Sequence, residues 1–199
     1  MLNGTAEKSL LVAAVMASTV FLAGCDVNGA PKSVPAREAA LAIPTAWYDG
    51  DWPILRFRMD PKRGRGWILT AQGVLLFDFK TRQTSAHIAL PGWLWLGEAY
   101  SCAPDLALGP QGEVLVTSNV VPTLWRIDPL SLEVSRHEVV LDQDNDRDVG
   151  FSALAYSSKQ AAFFGASSLN GSLWRIDPSL KRAQKVALSA PIGARSCAD

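Results

Sequence analysis

Residues 40–199 are predicted to form an all-β fold of about three repeated sheets, each of four short antiparallel strands. Three observations carry this expectation. Leu124-Trp125-Arg126-Ile127-Asp128-Pro129 returns 49 residues later as Leu173-Trp174-Arg175-Ile176-Asp177-Pro178. A weaker copy, Leu75-Leu76-Phe77-Asp78, lies about 50 residues upstream. Short apolar runs flank each copy, two ahead and one behind, with turn residues between them. No segment beyond the N-terminal leader keeps the 3.6-residue period of an amphipathic helix. Four strands recurring at this period mark a propeller blade, so the expected architecture is a partial β-propeller of about three blades.

The N-terminus comes first. Leu10 to Phe21 form an apolar run that follows Lys8. The run is too short to cross ~30 Å of hydrocarbon as a helix and suits the core of an export signal. Leu22-Ala23-Gly24-Cys25 follows directly and resembles the lipobox of bacterial lipoproteins. That resemblance implies a signal peptide over 1–24 and acylation of Cys25, palmitate being among the expected chains. It also implies a place in the bacterial cell envelope, lipid-anchored to the inner or outer membrane and facing the periplasm. Each acyl CH₂ buried in lipid contributes ~0.8 kcal/mol, so several chains hold far better than one. The plainer readings are an ordinary signal peptide cut nearby, or a core helix that happens to hold a cysteine. Asp26 resembles the inner-membrane retention signal of enteric bacteria, a rule that varies between bacteria and leaves the membrane open. Residues 25–39 comprise the lipidated cysteine and a stretch with two prolines and mixed charge. They read as a flexible tether, with an ordered arm as the alternative.

The repeat domain, 40–199, divides into blades at about 51–91, 104–141 and 150–189. Strands are expected at Ile54 to Met59, Trp67 to Thr70, Leu75 to Asp78 and His87 to Leu90 in the first. The second has Asp105 to Leu108, Val114 to Thr117, the hexapeptide, and His137 to Leu141. The third has Phe151 to Tyr156, Ala162 to Gly165, the hexapeptide copy, and Val186 to Leu188. Gly64, Gly66, Gly109-Pro110-Gln111-Gly112 and Asn170-Gly171 separate them, and Asn-Gly suits a two-residue hairpin because both residues tolerate positive φ. Trp125 and Trp174 are expected to fill the wedge between neighbouring sheets. Asp128 and Asp177, each followed by proline, fit the first position of a type I turn. His87 and His137 each stand nine residues after a turn aspartate, which makes them strand features. The blade pattern resembles the YVTN and NHL propellers, and also blades of the gluconolactonase/senescence-marker and yellow/royal-jelly families. Such a resemblance implies a fold and leaves activity open.

The ring does not close. Ala40 to Pro44 resemble the exit of a blade, and Arg195 to Asp199 mirror Tyr100 to Asp105. A truncated longer propeller, self-association of copies into a ring, and a smaller closed or sandwich-like sheet are all open readings. Propellers typically carry four to eight blades.

Composition narrows the chemistry. Nineteen basic residues balance nineteen acidic ones, which provides no electrostatic footprint for nucleic acid. Two histidines exclude a multi-histidine metal centre. No nucleophile elbow, zincin, dinucleotide or Cys-x-x-Cys motif is present. Three polar, aromatic loops, 47–52, 98–105 and 142–148, are expected to gather at one mouth of the channel. Asp51, Asp105 and Asp148 begin the inner strands there. They could converge on Ca²⁺, another divalent metal or a polar ligand; alternatively they end strands and satisfy loop backbone. The run Asp142, Asp144, Asp146 and Asp148 departs from a calcium loop, with Arg147 where glycine is wanted and Ala153 where the bidentate glutamate belongs. The gluconolactonase-like resemblance implies a metal held by acidic and amide side chains, of which Asp105, Asn119 and Asp148 match part. The leading expectation is a membrane-tethered, non-enzymatic module, without cofactor, that binds a protein partner or small envelope ligand. The alternatives are a metal-dependent lactonase-like hydrolase or an inactive truncated propeller. Cys102 and Cys197 occupy equivalent positions two repeats apart. Parity suggests a bond once Cys25 is set aside. Such positions should nevertheless lie ~10 Å or more apart, beyond the ~7 Å that a disulfide spans. Free, partly exposed thiols are therefore expected in the monomer, or an intermolecular bond if copies associate.

Overall fold

A computed structural model describes residues 52–97, 102–142, 150–168, 170–190 and 192. The expected leader and tether, with Cys25, and also Asp51 and Asp148 lie outside the described residues. Thirteen strands are described. The first sheet holds β1 (Ile54–Asp60), β2 (Arg65–Thr70), β3 (Gly73–Asp78) and β4 (Gln83–Ile88). The second holds β5 (Leu106–Leu108), β6 (Val114–Thr117), β7 (Thr123–Ile127) and β8 (Val134–Glu138). The third holds β10 (Ala153–Ser157), β11 (Ala162–Ser167), β12 (Ser172–Ile176) and β13 (Arg182–Lys185), with β9 (Val140–Leu141) on its outer edge. Within each sheet the four consecutive strands pair antiparallel in chain order. This is the all-β, partial-propeller architecture that the repeat predicts.

The two copies of the hexapeptide form the third strands, and their alternation sets the packing. Trp125 and Ile127 face the first sheet, where they join Trp67, Leu69, Val74, Leu76, Leu106 and Val116 in one buried cluster. Trp125 meets Trp93 edge-on at 5.3 Å between ring centres, and its indole N–H donates to the Pro91 carbonyl at 2.8 Å. One repeat later Trp174 and Ile176 face the second sheet, packed with Ala107, Leu115, Leu124 and Val139. Each tryptophan therefore seals the seam to the preceding sheet. In the first sheet Leu75 takes the tryptophan's place, buried with Ile68 and Phe77 beneath Trp52, Phe57 and Phe79.

The outer strands begin earlier than the apolar triplets suggest. The fourth strand of each sheet is a polar segment, at 83–88, 134–138 and 182–185. The reason is that most residues of these outer strands are exposed or half-buried, Ile88 and Ala183 being the buried ones. The apolar residues read as strands come at or after their ends: Ile88, Leu90 and Val139 drop into the seams and are buried there. A second departure is β9, which pairs parallel with β13. Val140 N–H donates to the Lys181 carbonyl at 2.8 Å and Asp142 N–H to the Ala183 carbonyl at 3.1 Å. The chain leaving the second sheet thus laces onto the far edge of the third.

The turn aspartates behave as their positions predict. Asp128 Oδ1 accepts the N–H groups of Leu130 and Ser131, both at 2.8 Å. Asp78 Oδ1 accepts Thr81 N–H at 2.8 Å, and Asp177 Oδ1 accepts the Ser179 hydroxyl at 2.8 Å. The Thr81 and Ser131 backbone bonds hold the Asp78 and Asp128 carboxyls below the ordinary aspartate range. At Asp177 partial burial pushes upward, but the Ser179, Lys181 and Arg182 bonds win and the carboxyl is again lowered.

Candidate functional site

The inner strands β1, β5 and β10 converge on Asp105, the residue just before β5. Its side chain is only 6% exposed. Oδ1 accepts the N–H of Leu106 at 2.8 Å, and Oδ2 accepts the N–H of Leu154, on β10, at 2.9 Å. From β1, Arg58 Nη2 reaches Oδ1 at 3.0 Å and Oδ2 at 3.2 Å, while Arg56 Nε stands 3.7 Å from Oδ1. One carboxylate therefore joins all three sheets. A buried charge tolerates this position because two backbone donors and a guanidinium replace its water.

Thr117 reinforces the junction. Its Oγ1 accepts Asp105 N–H at 2.9 Å and donates to the Phe151 carbonyl at 2.7 Å, tying β6 to the entry of β10. Phe151 N–H in turn donates to the Ser118 carbonyl at 2.8 Å. Gly150 makes this approach possible. A Cβ there would collide with the Asn119–Val120 peptide, so only glycine lets the two loops close. Asn119, in the β6–β7 loop, lies at the same end of the second sheet as Asp105, and its Nδ2 is buried without an acceptor.

Of the four residues expected at the channel mouth, the structure places Asp105 and Asn119 at one end of one sheet; Asp51 and Asp148 lie outside the described residues. Asp105 does not suit a cation. Both its oxygens are engaged by N–H donors, and two guanidinium groups stand beside it. Among the described residues no group of three or more histidine, cysteine or acidic side chains could hold a metal ion. Arg56 and Arg58 were not foreseen as site residues. The signal was present, since Arg56-Phe57-Arg58 sets two cations on one face of an inner strand.

The cysteine expectation is corrected. Cys102 is disulfide-bonded and 8% exposed, not a free, partly exposed thiol. The segment leading into β5 is tucked in rather than open at a channel mouth, with Pro104 and Asp105 buried beside it. The chain's other two cysteines, Cys25 and Cys197, lie outside the described residues.

This geometry defines a propeller-type scaffold, and the comparisons agree. No family model and no curated protein matches the chain. Among solved structures it is similar to virginiamycin B lyase from Staphylococcus aureus, with a TM-score of 0.51 and 14% identity over 68% of this chain and 41% of that one. A streptogramin B lyase structure superposes with a TM-score of 0.52 and 13% identity over 77% of this chain and 44% of that one. A catalytically inactive form of the staphylococcal lyase with quinupristin has a TM-score of 0.53 and 14% identity, over 76% and 45%. These neighbours are β-propellers. The chain spans less than half the length of each. At this identity the likeness establishes the fold alone.

Proposed function

We propose that the chain is a lipid-anchored protein of the bacterial envelope, facing the periplasm, whose propeller sheets form a non-enzymatic binding module. Its partner is a protein or a small envelope ligand. The anchor rests on the apolar run 10–21 followed directly by Leu22-Ala23-Gly24-Cys25. The non-enzymatic reading rests on Asp105, whose carboxylate serves the junction of three sheets with both oxygens engaged by N–H donors. The hydrolase alternative needs that same carboxylate as a ligand.

Two measurements test the reading. Cys25→Ser should move the protein from the membrane to the soluble fraction. Wild type that stays membrane-bound while mass spectrometry shows an unmodified Cys25 removes the lipoprotein claim. Purified protein should turn over none of a lactone panel with Ca²⁺ or other divalent metals; turnover with stoichiometric metal would replace the binding module by the hydrolase.

A further inference from the structure

Two clusters set arginines of the first sheet on a buried aspartate at the seam with the second sheet, and they differ in one respect. At the β1–β2 turn, Asp60 Oδ2 is met by Arg63 Nη1 at 3.3 Å and Arg65 Nε at 3.2 Å. Both arginines spend further donors on the second sheet: Arg63 Nη2 on the Gln111 carbonyl and Arg65 Nη2 on the Pro129 carbonyl, each at 2.7 Å. Arg65 also lies over the Trp67 ring at 4.8 Å. That cluster is closed, its arginine side chains 29% and 14% exposed.

The cluster at Asp105 is open. Arg56 and Arg58 are 35% and 41% exposed. Beyond Asp105, among the described residues, each gives an N–H only to the carbonyl of the residue before it, Leu55 and Phe57 respectively, at 2.8 and 2.9 Å. Asp105 itself is shared with two backbone N–H groups. Among the described residues two guanidinium charges therefore face one carboxylate, with donor atoms to spare, and Asn119 Nδ2 at the same end of the second sheet has no acceptor. Donors and surplus positive charge in a part-buried place call for an acceptor-rich anion.

We infer that Arg56 and Arg58 form an oxyanion-binding site at the inner edge of the sheets, for a ligand bearing a carboxylate or phosphate group. This names a ligand class for the binding module and rests on that reading. Asp105 acts as a positioning residue, holding the guanidinium planes so that less side-chain freedom is lost on binding.

The test uses full-length protein in detergent, titrated calorimetrically with citrate, inorganic phosphate, and chloride at matched ionic strength. Saturable binding of citrate or phosphate, weakening as salt rises, is expected, and the stronger of the two identifies the ligand's source as carboxylate or phosphate. Arg56→Gln, whose contact with Asp105 is the looser one, should keep the wild-type melting temperature and bind about tenfold more weakly. Arg58→Lys keeps the charge but loses the fork, and should weaken binding while leaving the fold intact. Absence of saturable binding by either oxyanion, or equal affinity in Arg56→Gln, overturns the site. Lactone turnover would instead defeat the binding-module reading, so the two failures are distinguishable.

Discussion

Removing the Asp105 carboxylate should unfasten the three sheets, and the size of the loss follows from what it leaves behind. In Asp105→Ala the N–H groups of Leu106 and Leu154 lose their acceptors in a buried place. A buried donor left unsatisfied costs about 1–3 kcal/mol. Arg58 is released as well, but at 41% exposure it rehydrates and adds little. The expected loss is about 3–5 kcal/mol, a large part of the roughly 5–15 kcal/mol that holds a domain of this size. Asp105→Asn keeps the shape and one carbonyl acceptor but turns an NH₂ against the second N–H, for an expected loss of about 2–3 kcal/mol. Arg56→Gln should cost under about 1 kcal/mol, as a part-exposed ion pair does. Urea unfolding followed by tryptophan fluorescence measures all three, and amide exchange at Leu154 reads the junction directly. A loss below about 1 kcal/mol for Asp105→Ala, or Arg56→Gln costing more than Asp105→Ala, would refute the argument that this carboxylate fastens the sheets.

Further expectations follow from the repeat. Leu124 is fully buried between the second and third sheets, whereas Leu173, its match one repeat later, is only half-buried. Leu124→Ala should cost about 2–5 kcal/mol and Leu173→Ala about 1 kcal/mol or less in urea unfolding; equal losses would mean that the outward face of the third sheet is covered like the second. The carboxyls of Asp78, Asp128 and Asp177 are all held below the ordinary value of 3.8 in the folded protein. Their contribution is therefore complete above that value and lost as pH falls through the lower folded value, because the unfolded chain takes up the proton first. The urea midpoint of wild type should drop on acidification through this range, and Asp128→Asn should flatten the drop; an unchanged slope in the variant would show that the turn bonds do not discriminate the charged form.

The repeat made the sheets legible because strand alternation and the seam are one constraint. A tryptophan two residues ahead of Ile127 must share its face, and a 49-residue copy must face the next seam in the same way. The polar outer strands were displaced because hydrophobicity marks burial rather than pairing: Ile88, Leu90 and Val139 are buried at or beyond the ends of the ladders. Two-residue β9 is too short to leave an alternating pattern, although Leu141 packs against the core of the seam. At the site, Asp105 was singled out for its charge and its place ahead of an inner strand, both visible in the sequence. What decided its role was invisible there. The Leu154 N–H stands 49 residues away and Arg58 47 residues away, brought in by the stacking of sheets. A carboxylate at a channel mouth becomes a cation ligand or a junction according to the donors that reach it. Here donors from both neighbouring sheets join the Leu106 N–H and engage both oxygens of Asp105, so it serves as a junction.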